Sequence, residues 1–473
     1  MRKNIRHLCF ALIISFAILG LYMGYINIFM GPALATDPHN RRLAAREAGI
    51  HRGTIYDRRG EPLALTEDGE RIYPLGEKAA HVIGFVSQRY GRTGLESVYD
   101  GYLLAMTGEA GMEELIDRLM GRTRVGNDIT VTIDSRLQSL AMELLGDQRG
   151  AVAALDPATG AVLALASTPS FDPNILGQPR DAQNNYYETL QGDEDSPLLN
   201  RASQGAYPPG SVFKLVAGAT ALEADGNAAN KRIKCRGSIE AGGFQLPDIA
   251  VHGEVDFARA MSVSCNSFFA TVSMDAGKDA FYRTAQNFGL TKNPWEGSRS
   301  EIPYRPGSLS KPEEMDKAML ASSAIGQGEV LVNPLQMALI TAAVANSGEI
   351  MRPYLLESVH GPSGEPLFRT APGSWLTAMK PRSAAVIRDA MVKTVREGTG
   401  TNAAIPGTTV AGKTGSAQNP HGDAHAWFVA FAPAENPRIA VAVIVENGGT
   451  GGRAAAPIAR EIIREELKSP VRP

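Results

Sequence analysis

Tyr207-Pro208-Pro209-Gly210-Ser211-Val212-Phe213-Lys214 is the stretch on which the reading of this chain turns. Tyr207 to Gly210 form a turn that cannot be helical, and it delivers the chain into Ser211 at the first turn of an apolar helix running to about Asp225-Gly226. A serine hydroxyl is a weak nucleophile until a base takes its proton, and a lysine three residues further along a helix lies on the same face. Ser211 and Lys214 are so placed. Backbone amides at a helix N-terminus point outward, so the Ser211 amide can serve as one donor of an oxyanion hole. SxxK alone is a weak pattern, and it occurs again at Ser308-Leu309-Ser310-Lys311. There Pro312 and two glutamates follow, which reads as a helix beginning after Ser308, so that pair is taken as structural.

Two further motifs follow in order. Ser264-Cys265-Asn266 lies between helical segments, and Lys413-Thr414-Gly415-Ser416 follows Thr408 to Gly412, a β-branched run that reads as a strand, ahead of a polar loop from Gln418 to Gly422. At a strand edge Lys413 offers charge, and Thr414 and Ser416 offer hydroxyls, to a terminal carboxylate; Gly415 leaves room for a substrate backbone. SxxK, SxN and KTG in this order are the signature of the serine penicillin-recognising enzymes, which include penicillin-binding proteins and class A β-lactamases, and the chain resembles the former.

Composition sets the frame. The chain has 473 residues, room for two or three domains, and 47 basic against 50 acidic residues give a net charge of -3. No basic block marks the body, so no nucleic-acid partner is expected. Leu8 to Met30 is an almost uninterrupted apolar run, preceded by Arg2, Lys3 and Arg6, with no charge after it until Asp37. That predicts a single membrane-crossing helix with the N-terminus cytoplasmic and the rest outside the membrane. Ala33-Leu34-Ala35 resembles a signal-peptide cleavage site, but the run is long for a signal core, which favours a retained anchor. Cys9 lies in the anchor; Cys235 and Cys265 are read as buried thiols rather than a disulfide. Their spacing fits no zinc site and no histidine cluster does, so neither metal nor cofactor is expected.

Beyond the anchor and a charged linker from Asp37 to Arg46 comes Arg52-Gly53-Thr54-Ile55-Tyr56-Asp57-Arg58-Arg59-Gly60, then Arg71 to Gly76 leading to Ala80 to Gly84, and Gly94-Leu95-Glu96 with Tyr99-Asp100. These stretches resemble the pedestal of class B penicillin-binding proteins, transpeptidases without a glycosyltransferase domain of their own. Arg52, Asp57, Arg58 and Glu96 are expected to pair with one another, and His81 to be a packing residue. The pedestal is short for the class. Three regions are expected: cytoplasmic tip and anchor (1–30), linker and pedestal (31–145), and the penicillin-binding transpeptidase domain (146–473). Helical patterns at Met112 to Met120 and Leu137 to Leu145 close the pedestal. Gly150 to Leu155 and Ala161 to Ala166 form a hairpin, and Trp427 to Ala432 and Ile439 to Val445 read as strands of the same sheet. Helices are expected at 211–225, 278–288, 334–346, 382–396 and 454–467. First and last strands bracketing a helical insertion predict an α+β domain, an antiparallel sheet covered by helices.

The resemblance implies a peptidoglycan D,D-transpeptidase of the acyl-enzyme type. Ser211 attacks the carbonyl between the last two D-alanines of a stem peptide, and neutral Lys214 accepts its proton, with burial and the Lys413 charge lowering its pKa. Ser264 passes a proton towards the departing D-alanine, Asn266 bonds Lys214 or the substrate amide, and the Ser416 amide is the second oxyanion donor. Implied partners are stem peptides, β-lactams and a polytopic glycan polymerase contacting anchor and pedestal. Two alternatives stay open. One is a D,D-carboxypeptidase, because no deacylating glutamate is located by motif. The other is a non-catalytic β-lactam sensor or scaffold, which would be expected to carry further membrane helices and a cytoplasmic module.

Overall fold

Five apolar runs pair into one antiparallel sheet: β1 (Gly150–Leu155), β2 (Val162–Thr168), β3 (Ala411–Ala417), β4 (His425–Ala432) and β5 (Ile439–Val445), in the order β2-β1-β5-β4-β3. The computed structural model describes residues 2–25, 50–106, 124–178, 185–420 and 422–469. Alternate residues of each strand enter different cores. Trp427, Val429 and Phe431 face the helical lobe that contains Pro334–Ala345, whereas Phe428, Ala430 and Ala432 face Ser135–Leu145 and Gly451–Lys468. Burial on both faces explains why these strands read as continuous apolar runs rather than as an alternation.

The expected helices are present as Lys214–Ala224 (entered through a 3₁₀ turn, Gly210–Phe213), Lys278–Asn287, Pro334–Ala345, Pro381–Glu397 and Gly451–Lys468. Two expectations change. The strand before the KTG motif begins only at Ala411 and runs through it, so Lys413, Thr414, Gly415 and Ser416 lie within β3, the edge strand, rather than beyond its end. The segment from Leu137 to Leu145, read as closing the pedestal, is the helix Ser135–Leu145, which packs on β2 and on Gly451–Lys468 as part of the second core. The helix expected at Met112 to Met120, the linker from Asp37 to Arg46 and residues 26–30 of the apolar run lie outside the described residues.

Near the N-terminus Arg2–Tyr25 is helical, and Ile5–Tyr25, with mean hydropathy 2.1 and no burial against the rest of the chain, is long and apolar enough to cross a membrane. The module after it is built on a six-stranded sheet that local sequence does not announce. Ile55–Tyr56, Pro62–Glu67, Glu70–Ile72 and Asp128–Val131 are joined by Leu356–His360 and Pro366–Arg369, a hairpin from deep inside the downstream segment.

Arg52 and Glu96 pair as expected, but in wider company. Glu96, fully buried, receives Arg52 Nε at 2.7 Å and Arg71 Nε at 2.6 Å, while Arg52 Nη1 also meets Asp100 at 2.6 Å. Asp57 and Arg58 do something else. Asp57 accepts from the amides of Arg59, Glu61 and Ser135 and from Ser135 Oγ, and Arg58 Nη1 lies 4.0 Å from Glu466 on the C-terminal helix. The run of charges in one short segment thus serves two junctions, since side chains adjacent in sequence point to different neighbours. His81 is a packing residue: its ring meets Phe171 edge-on at 5.4 Å, Nε2 lies 2.8 Å from the Pro197 carbonyl, and burial lowers its pKa to about 4.

Removing the shared carboxylate in Glu96→Ala takes the ion partner from buried Arg71 and leaves Arg52 with Asp100 alone, and breaking a buried pair costs about 3–5 kcal/mol. Thermal unfolding of the purified variant is expected to fall accordingly; an unchanged midpoint would show that the clamp is dispensable.

Candidate active site

The turn ahead of Ser211 is fixed from three sides. The Gly210 amide bonds the Gly326 carbonyl at 2.8 Å, Trp427 Nε1 on β4 bonds the Pro208 carbonyl at 3.0 Å, and Tyr207 Oη bonds Glu446 at 2.7 Å. Gly210 has φ +56°, and a Cβ there would meet the Ser416 carbonyl at 2.9 Å, so glycine is required where the turn presses on β3. Gly415 has the reciprocal reason. A Cβ on it would meet the Pro209 carbonyl and Val212 Cγ1 at 3.0 and 3.1 Å. Its bare face therefore admits the turn ahead of Ser211 rather than a substrate backbone, which corrects the sequence reading: β3 turns that face of its pleat inward.

Ser211 lies in the 3₁₀ turn and Lys214 opens the α-helix. In a 3₁₀ turn residues three apart eclipse, which stacks the two side chains. Ser211 is half-buried, and among the described residues its hydroxyl has no hydrogen-bond partner. Lys214 is wholly buried. Its Nζ donates to the Ser264 carbonyl at 2.6 Å, to Asn266 Oδ1 at 2.7 Å and to Ser264 Oγ at 3.2 Å. Burial lowers its pKa to about 7 against the opposing pull of Asp248 and Cys265. The Lys413 charge is not what does this; burial is.

Ser264 closes the site through its backbone. The helix Phe257–Ser262 ends with Cys265 N bonded to the Ala260 carbonyl at 2.8 Å and Ser264 N to that of Met261 at 3.3 Å, a Schellman arrangement whose left-handed position is occupied by Ser264 at φ +60° rather than by glycine. Holding a non-glycine residue there costs about 1–3 kcal/mol and is typical of functional positions. The hydroxyl so placed also receives Lys413 Nζ at 2.9 Å.

Lys413 is likewise fully buried, with its pKa lowered by burial and by Lys214, and its amine also bonds the Thr414 carbonyl at 2.9 Å. It is turned into the site rather than out to the strand edge. Thr414 Oγ1 lies 2.6 Å from Thr399 Oγ1, and Ser416 is exposed. Sequence reasoning missed Thr399, which carries no motif, and Asp248, whose carboxylate accepts from Ser267 N at 2.9 Å at the start of the helix Asn266–Ala276. The second SxxK stays apart: Ser308, exposed, bonds the Glu329 carbonyl at 3.0 Å, and Lys311 is exposed before a 3₁₀ turn.

Cys235 and Cys265 are free and buried. The expectation of no metal-type grouping is corrected: Cys235, Asp248, His252 and Cys265 converge, with ligand atoms all within 4.8 Å of one another. The spacing gave no sign because strand pairing, not a short CxxC loop, brings them together.

Family models match residues 150–464 as a penicillin binding protein transpeptidase domain and residues 52–129 as a penicillin binding protein A dimerisation domain. The chain is 35% identical to the peptidoglycan D,D-transpeptidase PbpA of Mycolicibacterium smegmatis over 99% of each chain. It is 32% identical to MrdA of Acinetobacter baumannii over 85% of this chain and 67% of that protein. A ceftriaxone acyl-enzyme complex of penicillin-binding protein A from Mycobacterium tuberculosis superposes with TM-score 0.82 at 35% identity, covering 89% of this chain and 99% of that one. The chain belongs to the penicillin-binding protein transpeptidase family, as a class B penicillin-binding protein.

Proposed function

We propose that Ser211, Lys214, Ser264, Asn266 and Lys413 carry out serine-type D,D-transpeptidation of peptidoglycan, the reaction named for the chain's relatives. The observation that carries this reading is the buried network Lys214–Ser264–Lys413 with Asn266, with Ser211 in the 3₁₀ turn three residues ahead of Lys214. Neutral Lys214 takes the Ser211 proton as Oγ attacks the carbonyl between the terminal D-alanines. The amides of Ser211 and Ser416 receive the oxyanion, and the proton returns through Ser264 to the departing amine. Thr414, with Thr399 behind it, and Ser416 take the substrate carboxylate at the β3 edge, where Gly415 lets the nucleophile turn sit close. An amine from a neighbouring strand then resolves the acyl-enzyme. β-Lactams trap Ser211, as the acyl-enzyme complex of the mycobacterial relative suggests.

Arg2, Lys3 and Arg6 ahead of the apolar helix favour a cytoplasmic N-terminus and an extracytoplasmic catalytic domain. A polytopic glycan polymerase that supplies the acceptor strands is the partner we assign to the anchor and pedestal.

Fluorescent penicillin is expected to label Ser211, with mass mapping of the modified peptide as the readout; label on Ser308, or label retained in Ser211→Ala, overturns the assignment. Lys214→Ala is expected to slow acylation by roughly 100-fold to 10,000-fold while the domain stays folded. Because the unprotonated amine is the active form and burial places its pKa at about 7, the acylation rate constant should climb as pH rises through 7 and level off above it. A flat or falling profile transfers the base role elsewhere. Exchanging Ile5–Tyr25 for an unrelated membrane helix should leave acylation intact but weaken growth-linked function and co-purification with the polymerase; full complementation would reduce the helix to a tether.

A further inference from the structure

The two helices that bring Lys214 and Asn266 to the site at their N-terminal ends meet a common cavity at their other ends. Lys214–Ala224 opens with Lys214 and Asn266–Ala276 with Asn266, and each has 11 residues, so their last turns lie about 15 Å along the axis from those side chains. There a cavity of about 620 Å³ is walled by Thr220, Glu223 and Ala224 of the first helix and by Ala276 of the second. The helix Lys278–Asn287 and the segment from Thr377 to Pro381 complete it, and no residue assigned to acyl transfer lines it.

Arg283, exposed on this wall, has a guanidinium with no hydrogen-bond or ion partner among the described residues. Lys380 adds a second cation, its Nζ 3.5 Å from Glu223 Oε2. Glu223 is the one acid of the lining among the described residues, and it is already engaged by the Lys380 amide at 3.0 Å and by Ser383 Oγ at 2.5 Å. Burial works against its charge, but those bonds hold its pKa below the usual carboxylate range. Thr284 is only 7% exposed, and its hydroxyl also has no partner among the described residues. Most buried hydroxyls are bonded, so this position calls for a ligand atom.

We propose that the cavity binds a small peptide-like carboxylate, a muramyl peptide by chemical class, and that its occupancy restrains the two helices and speeds acylation. The volume sits within the range of about 300–1,000 Å³ usual for small-molecule sites. Arg283 presents the planar fork that takes a carboxylate in two parallel bonds, with Lys380 as a second charge. Last-turn carbonyls of a helix lack intrahelical donors and disfavour an anion, so the amide N–H groups of the ligand belong at those ends and its carboxylate at Arg283. Ala224, Ala276 and Ala280 offer contact to methyl groups, and Thr377 and Asn287 to hydroxyl and acetamido groups. Methyl-bearing lactyl, acetyl and alanyl units, joined by amides and ending in a carboxylate, are what a muramyl peptide carries. A ligand tied to both helix ends limits the movement of Lys214 Nζ against Asn266 Oδ1, 2.7 Å away, on which the proposed proton transfer depends.

Binding does not rest on the reading of Ser211 as the nucleophile; the rate effect does, and the experiment keeps them apart. N-acetylmuramyl-L-alanyl-D-isoglutamine is titrated by calorimetry into the full chain in detergent, as wild type and as Ser211→Ala. Saturable binding of one probe per chain is expected in both. Arg283→Ala should weaken it by about 10-fold or more and Thr284→Val by about 2-fold to 10-fold, with Arg283→Lys in between because it keeps the charge and loses the fork. Saturating probe should raise the rate of penicillin acylation about 5-fold or more in the wild type and leave that of Arg283→Ala unchanged. Absence of saturable binding, or equal affinity in Arg283→Ala, overturns the site. D-alanyl-D-alanine or inorganic phosphate binding as tightly as the probe overturns the muramyl class. Binding with unchanged or slower acylation overturns the coupling; a chain that no penicillin labels overturns the Ser211 reading and the coupling with it, while the binding result stands.

Discussion

Two lysine amines meet at one serine hydroxyl in the interior of this protein, and much of the rest is arranged around that meeting. Both amines are fully buried, and burial disfavours the charged form of each. The favourable state holds fewer protons than two free lysines would carry in water. Enclosure thus yields an amine that can be neutral near pH 7. The strained backbone at Ser264 belongs to the same arrangement, because only the left-handed turn between two helices sends both its carbonyl and its hydroxyl to Lys214.

Rigidity on the opposite side comes from the sheet. β4 and β5 are buried on both faces, and Trp427 reaches out of β4 to hold the peptide just ahead of Ser211. Groups mounted on such an element keep their positions better than groups carried by a free loop. The edge strand β3 then brings Lys413 beneath the turn and leaves Ser416 at the surface, using the two faces of one pleat for separate tasks.

Local pattern carried the reading a long way. Ser211 and Lys214 stand out through their three-residue offset at a helix start, and the central strands were legible because double-sided burial writes unbroken apolar runs. What stayed hidden depends on which distant segment a residue meets. Nothing in Leu356–His360 says that it pairs with Asp128–Val131, nothing in Thr399 points to Thr414, and the neighbourhood of Cys235 exists only once Gly253–Val255 lies beside it. The inward face of Gly415 was missed for a related reason: a sequence gives the alternation of a strand, whereas the partner layer decides which side is covered.

The hairpin Leu356–Arg369 inserted into the membrane-proximal sheet has a mechanical meaning. The backbone passes from that sheet towards β1 after Val131 and comes back to it at Leu356, leaving again after Arg369, so the halves are stitched by several crossings instead of a single swivel. Turning of the two halves about any one of these connections is opposed by the others. A fragment begun at Gly150 would carry Leu356–His360 with one side bare, an open strand edge of the kind that recruits other chains.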